Sequence, residues 1–274
     1  MLTLMAMVAT MGFRIGRTRE VIDNAGALGL TALAFATATL AGTLAVLLVV
    51  FSLLAARAGV APRSDARRGG GLCLLRDPAL LIGVLAAGFL TGLLLPLFPG
   101  ATGESLITWL LYALLLIVGI GLGGTDIRWG EIVTHPHLIA LPLATMVGTL
   151  GAGAGVGFLL GMPAGTALSI ASGFGWYSLS GVILTRLDGP ATGAVAFISN
   201  MLRESMAMVL IPVLSRTRFP HLAIGAAAAT SMDVTLPLIE KHCGPDAVPF
   251  SMASGAVLSL SVPLLVPLLY QIGR

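Results

Sequence analysis

The sequence predicts an all-α polytopic membrane protein, built from inverted repeats with discontinuous helices and about seven to nine transmembrane segments. Three observations carry this. Of 274 residues, 57% are hydrophobic and only 10% charged, with a mean hydropathy of +0.99, against roughly 25% charged residues in a soluble domain. Apolar runs of about 20 residues recur along the chain, each enough to cross a bilayer core of about 30 Å as a helix, so helices and not a β-barrel are implied. Two of those runs carry polar or glycine-rich interruptions. No stretch is long and polar enough for a separate soluble domain.

Taken in order, residues 1 to 13 are apolar but short for a span, and Arg14, Arg17 and Arg19 close them. The next span runs from about Ala25 to Ala56, longer than a crossing needs and so tilted or extended into the interface. Residues 57 to 77 follow, a glycine-rich loop with five arginines against two aspartates. The positive-inside rule makes it cytoplasmic. Further spans are expected at about 79 to 97, 105 to 122, 137 to 161, 166 to 187, 190 to 214, 221 to 240 and 247 to 272. The loop from Phe98 to Glu104 has no Lys or Arg and fits the outside. If every span crosses, Arg216 and Arg218 fall outside, against the rule. If two elements are re-entrant, the chain crosses fewer times. The organisation is then residues 1–60 as an N-terminal repeat, 61–78 as the basic loop, and 79–274 as a C-terminal repeat with the site helices.

The repeat is legible in the chain. The segment from Met11, MGFRIGRTREVIDNAGALGLTALAFATATLAGTLAVLL, can be laid on that from Gly119, GIGLGGTDIRWGEIVTHPHLIALPLATMVGTLGAGAGVGFL. Each holds the end of a span, a glycine pair with a charged cluster, then a long Gly/Ala/Thr-rich span. Equivalent helices of the copies are three apart in order, so they have opposite orientations in the membrane, a transporter signature. The partner of the span at 79–97 would precede residue 1.

Basic composition, with net charge +3 and pI near 9.3, does not imply nucleic acid here, because the cations sit between apolar runs as topology signals. Cys73 and Cys243 form no CxxC and no metal spacing. No cofactor or metal is implied. His135 and His137 read as interfacial residues, and Trp109, Tyr112, Trp129 and Tyr270 as interface anchors near span ends.

The segment Ala171–Gly181, ASGFGWYSLSG, holds three glycines and three serines. It is too weak a helix former and too polar to face lipid. Irregular backbone at membrane depth is tolerated only inside protein or along a watery cavity. Two readings stand for it: the lining of a site, or a small-residue helix that lets its neighbours approach closely. Downstream, Glu204 in NMLRESMAMVLIPVL and Asp233 in AIGAAAATSMDVTLPLIE lie inside apolar runs. Intramembrane carboxylates cost about 2.5–3.5 kcal/mol on insertion scales and mark ion, proton or substrate paths. Asn200 shares the Glu204 face of a helix, and Arg203 is adjacent; Arg203 and Glu204 either pair structurally, or Glu204 faces a cavity with Asn200. Pro237 has no N–H for the Asp233 carbonyl, which is expected to be freed as the helix breaks, with Thr230 and Ser231 beside it. The candidate substrate or proton site is therefore Ser172, Gly173, Phe174, Gly175, Trp176, Tyr177, Ser178, Ser180, Asn200, Arg203, Glu204, Thr230, Ser231 and Asp233.

SGFGWYSLSGVIL, then RES, then ATSMDVTLP is similar to the lysine exporter family, the LysO-type transporters of bacterial inner membranes. The resemblance covers residues 79 to 272 strongly and 1 to 56 weakly. It implies export of L-lysine and its toxic analogues, and an essential pair of intramembrane acids at the positions of Glu204 and Asp233. The family has a further helix before the first one here. Lysine carries two ammonium groups and one carboxylate. The expectation is that Glu204 and Asp233 take the ammonium groups, while the N–H groups of Gly173 to Gly175 and the hydroxyls of Ser178 and Ser180 take the carboxylate. Export is expected in exchange for protons, with the carboxylates titrating as a coupled pair; sodium is the alternative ion, and a homo-oligomer is left open. A sodium or proton antiporter with no amino-acid substrate is the competing transport reading. An intramembrane hydrolase fits less well: SLSG at Ser178 lacks the first glycine of GxSG, GxGD is absent, and Asp126 sits in a loop.

Overall fold

The computed structural model describes residues 26–58, 71–94 and 137–272, with isolated positions 5, 9, 13, 109, 116 and 120. The expected spans at 1 to 13 and 105 to 122, the polar inserts of the repeat, Asp126, His135, Tyr112 and Trp129 lie outside the described residues. Every described element is helical. In order these are α1 Ala27–Ala58, α2 Gly71–Leu94, α3 His137–Leu159, α4 Ala164–Ala171, α5 Tyr177–Asp188, α6 Pro190–Leu214, α7 Leu222–Ala227, a 3-10 turn Ala228–Met232, α8 Leu236–Cys243, a short 3-10 turn Pro245–Ala247, and α9 Val248–Ile272. Helix α2 begins at Gly71, inside the segment expected to be loop.

Among the described residues, four stretches are long and apolar enough to cross a membrane: Leu28–Ala55, Leu138–Leu159, Ala191–Leu214 and Pro245–Ile272. Their faces are sorted as a membrane demands. Leu260, Leu264, Leu268 and Ile272 of α9, and Ile139, Leu143 and Val147 of α3, point outward, whereas Thr39, Thr43, Thr145, Thr149, Ser251 and Ser254 are buried. A hydroxyl inside a helix bundle is tolerated because it bonds back to the carbonyl one turn earlier. Thr39 donates to Phe35 O at 2.6 Å, Thr43 to Thr39 O at 2.7 Å and Thr145 to Leu141 O at 2.8 Å.

Helices α1 and α3 hold the long spans that the sequence aligned with each other, and they pack on each other. The contact is reciprocal. Each helix reads Thr-x-x-Gly-Thr-Leu, from Thr39 and from Thr145. A Cβ on Gly42 would lie 2.7 Å from Gly148 O, and one on Gly148 would lie 2.6 Å from Gly42 O. One residue on, the Thr43 and Thr149 hydroxyls meet at 2.7 Å. Equivalent residues that touch each other in both directions mark a local two-fold relation.

Helix α6 runs through the middle, touching α1, α2, α4, α5, α7 and α8. The regions expected at 166 to 187 and 221 to 240 are each a broken helix, α4–α5 and α7–α8. The halves α4 and α5 contact each other sparsely, as do α7 and α8. Both end on the same device: Gly189 (φ 95°, ψ 171°) before Pro190, and Gly244 (φ 92°, ψ 166°) before Pro245. Glycine alone takes that backbone readily, and proline suits the first turn of the long helix that follows.

At one end of α9, Tyr270 is 4% exposed and its hydroxyl donates to Asp188 Oδ1 at 2.7 Å. This corrects its reading as an interface anchor. Thr192 and Thr166 donate to the other oxygen of Asp188, at 3.0 and 3.3 Å, so one carboxylate ties α4, α5, α6 and α9 together. Trp109, by contrast, is exposed.

The α1–α3 contact is directly testable. Gly148→Leu forces the two backbones apart and should cost about 2–3 kcal/mol, seen as a fall of the thermal midpoint in detergent. Gly151→Ala on the same helix, where an added Cβ meets nothing within 4 Å, should leave the midpoint unchanged or raise it. Equal midpoints for Gly148→Leu and the parent would show that the helices do not meet at this glycine.

Candidate substrate site at the crossing of two broken helices

Between Ala171 and Tyr177 the chain leaves the helix, with Phe174 at φ 46° and Gly175 at φ 96°. A break strands carbonyls of the helix before it and N–H groups of the helix after it. Most are closed locally: Ser172 N–H on Leu168 O at 2.8 Å, Trp176 N–H on Gly173 O at 2.7 Å, Tyr177 N–H on Gly175 O at 3.0 Å. Others fall to Asn200 of α6. Its Oδ1 accepts from Gly175 N–H at 2.8 Å. Its Nδ2 donates to Ile170 O at 3.1 Å and Ala196 O at 2.9 Å, and reaches Ser180 Oγ at 3.4 Å. The amide sits so close that a Cβ on Gly173 would lie 2.5 Å from Nδ2, which is why the position holds glycine.

The second break starts at Ala228, at φ 54° and ψ −119°, a backbone that costs a non-glycine residue about 1–3 kcal/mol. The two breaks meet there: Ala229 N–H donates to Phe174 O at 3.1 Å. Thr230 O then collects Asp233 N–H at 3.3 Å, Thr235 N–H at 3.1 Å and the Thr235 hydroxyl at 2.9 Å. Pro237 does not free the Asp233 carbonyl, which accepts from Leu236 N–H at 3.2 Å. The break lies upstream of the proline, which sits in the first turn of α8, where its missing N–H has no partner to lose. Asp233 is half-buried, and its Oδ1 accepts from Val234 N–H at 2.6 Å.

Helix α9 cradles this second break. Ser231 Oγ donates to Ser251 O at 3.0 Å, and Ser251 Oγ returns a bond to Ser231 O at 2.8 Å. Ser259 Oγ lies 3.4 Å from Ala229 O, and a Cβ on Gly255 would press on Met232. Sequence reading passed over this stripe, although serines and a glycine at 251, 254, 255 and 259 share one helical face.

The expected residues are thus divided. Ser172, Gly173, Phe174, Gly175, Ser180, Asn200 and Thr230 gather at the crossing. Glu204 is 2% exposed, one turn along α6 from Asn200. Arg203 is equally buried, and its Nη2 donates across to Thr43 Oγ1 at 3.2 Å, so its guanidinium is directed to the α1–α3 contact. Trp176 is 38% exposed, Ser178 is exposed, and Tyr177 stacks edge-on to Phe197 with ring centroids 5.1 Å apart. Ser231 is spent on α9. The expected carboxylate cradle is not available as drawn from the sequence: Gly173, Phe174 and Gly175 N–H groups are engaged by Ile170 O, Ala171 O and Asn200, and the Ser180 hydroxyl donates to Trp176 O. The charged groups stand around the crossing and not in it: Glu204 one turn along α6, Arg203 reaching toward Thr43, and Asp233 at the end of the 3-10 turn.

A groove of about 560 Å³ between α1 and α6, lined by Thr37, Leu40, Ala41, Leu44, Leu202, Ser205, Met206, Val209 and Leu210, holds no charged group and none of the expected site residues. Among the described residues no cluster of His, Cys, Asp and Glu suits a metal ion.

Residues 82–270 match the family model described as lysine exporter LysO. The chain is 42% identical over 187 residues to the lysine exporter LysO of Escherichia coli K12, covering 68% of this chain and 62% of that protein. It is 35% identical over 158 residues to a putative lysine exporter of Haemophilus influenzae, covering 58% of this chain and 80% of that one. No solved structure matches.

Asn200→Ala removes both halves of the staple, leaving the Gly175 N–H unpaired and Ile170 O with only its long 3.5 Å bond from Gly173 N–H. The expected loss is about 2–5 kcal/mol, measured as a drop in thermal midpoint. Ser180→Ala, whose hydroxyl donates to an i−4 carbonyl of its own helix, should cost under about 1 kcal/mol. An Asn200→Ala protein as stable as Ser180→Ala would show that the amide does not hold the break.

Proposed function

The chain belongs to the lysine exporter LysO family, and on that premise we propose that it is a secondary transporter moving L-lysine out of the cytoplasm across a bacterial inner membrane, in exchange for protons. The observation that carries this is the placement of Glu204 and Asp233. Glu204 lies one turn from the amide that holds the first break, and Asp233 terminates the second break, and the two breaks touch through Phe174 and Ala229. Discontinuous helices that cross inside a helical bundle are where secondary transporters place substrate and coupling ions. The reciprocal Gly42–Gly148 contact supports an inverted-repeat architecture for the same reason.

Glu204 and Asp233 hold the two ammonium groups of lysine, directly or through water. This accounts for a cationic substrate and for two acids in an apolar chain, where intramembrane carboxylates mark substrate, ion and proton paths. The same carboxylates carry the proton. Lysine and protons are competing occupants of one site, so release of lysine outward proceeds as protons take its place, and proton loss inward restores the site. The exchange is also favourable in energy. Moving one positive charge out of an inside-negative cell costs about 2.3 kcal/mol per 100 mV, and a proton moving inward offsets it. Toxic lysine analogues with the same two ammonium groups fall within this recognition.

Transport assays on proteoliposomes test the assignment. Glu204→Gln and Asp233→Asn should each abolish net lysine export and counterflow, whereas Asp246→Asn, at an exposed position before α9, should not. Full transport by either of the first two variants would remove that residue from the site. Lysine leaving the lumen should acidify it. Uphill export that continues after both the pH gradient and the membrane potential are collapsed would exclude proton coupling. Leucine moving as fast as lysine would end the assignment of the acids to ammonium groups and return the chain to the ion-antiporter reading.

A further inference from the structure

Arg203 stands on the central helix α6 at 2% exposure, and its place in the fold is not explained by packing alone. Its Nη2 donates to Thr43 Oγ1 at 3.2 Å, while Nε and Nη1 are buried with no acceptor among the described residues. The hydroxyl it reaches is itself committed, lying 2.7 Å from both Thr39 O and Thr149 Oγ1. A guanidinium stays charged at every physiological pH and presents its donors as a planar fork suited to a carboxylate. Buried groups of this kind are normally fully bonded, and an exception calls for a ligand or a functional role.

The substrate supplies the missing acceptor. The N–H groups of Gly173, Phe174 and Gly175, expected from the sequence to take a carboxylate, are already engaged, whereas the Arg203 fork has donors to spare. An α-amino acid carries its ammonium and carboxylate on one carbon, and its receptor must therefore present an anion and a cation at the same depth. Glu204 and Arg203, consecutive and both buried on α6, meet that requirement. We propose that Arg203 receives the α-carboxylate of the transported substrate, which makes the carrier selective for amino acids with a free carboxylate over diamines of the same length. This rests on the reading of the chain as an exporter of a cationic amino acid.

Lysine and cadaverine differ only by that carboxylate, and equilibrium binding of each to the purified full chain separates the possibilities. The parent should bind lysine about ten- to a hundredfold more tightly than cadaverine, the worth of one charge-assisted pair. Arg203→Gln should bring lysine down to the level of cadaverine and leave cadaverine where it was. Arg203→Lys keeps the charge but loses the fork, and should narrow the ratio; it also serves if the Gln variant does not fold. Equal affinities in the parent, a parallel loss of both ligands in Arg203→Gln, or an unchanged ratio in Arg203→Lys would each overturn the proposal and leave Arg203 as a strut between α1, α3 and α6. A parent that binds cadaverine but not lysine would overturn it as well. A parent that binds neither overturns the exporter reading, and this proposal with it.

Discussion

The constraint on which the rest of the structure depends is that backbone groups stranded at a helix break in an apolar interior must be paired by protein. Each one left open costs several kcal/mol in hydrocarbon, and this chain has two breaks side by side. Asn200 meets the first with three strong bonds from one amide. The second is closed by Thr230 O, by the paired serines Ser231 and Ser251, and by Phe174 O accepting from Ala229 N–H. Each break is thus a partner of the other. The strained backbones of Phe174 and Ala228 are held by this mutual bonding, which ties local irregularity to the packing of α4, α6, α7 and α9.

The bundle around the crossing is assembled by close approach rather than by bulk. In lipid the outward leucines gain nothing from association, so helices come together where small residues let backbones touch and hydroxyls bond across. Gly42 against Gly148, with Thr43 on Thr149, is such a contact, and it makes α1 and α3 meet at matching positions of their Thr-x-x-Gly-Thr-Leu segments. Arg203 reaches from α6 to the same hydroxyl pair. The hydroxyl seam between α1 and α3 and the charged stretch of α6 are therefore continuous.

The N–H groups of Gly173, Phe174 and Gly175 are engaged, so in the proposed function recognition falls to side-chain charge. On that proposal the crossing keeps its shape while protons and ammonium groups exchange on Glu204 and Asp233, and alternating access moves whole elements around it. The carboxylate of Asp188, holding Tyr270, Thr192 and Thr166, anchors one end of that unit; it serves packing and stands apart from the pair assigned to transport.

Much was determined by the sequence alone. Apolar period and length placed α1, α3, α6 and α9 within a few residues, because a helix that must span hydrocarbon and satisfy its own backbone is specified locally. A break within 171–181 was visible in its glycines and serines, although Tyr177–Gly181 proved helical, and the two acids stood out against an apolar background. Only the tertiary structure decided what those features do. No local signal says that Asn200 caps a neighbouring helix, that the glycine N–H groups of the first break are already spent, or that Pro237 lies beyond the second break and inside the next helix. Nor does spacing reveal that Arg203 turns from Glu204 toward Thr43. Each of these depends on which donor meets which acceptor between elements distant along the chain. In a bundle without water, that pairing is set by where helices can approach, and approach is a property of the assembled fold.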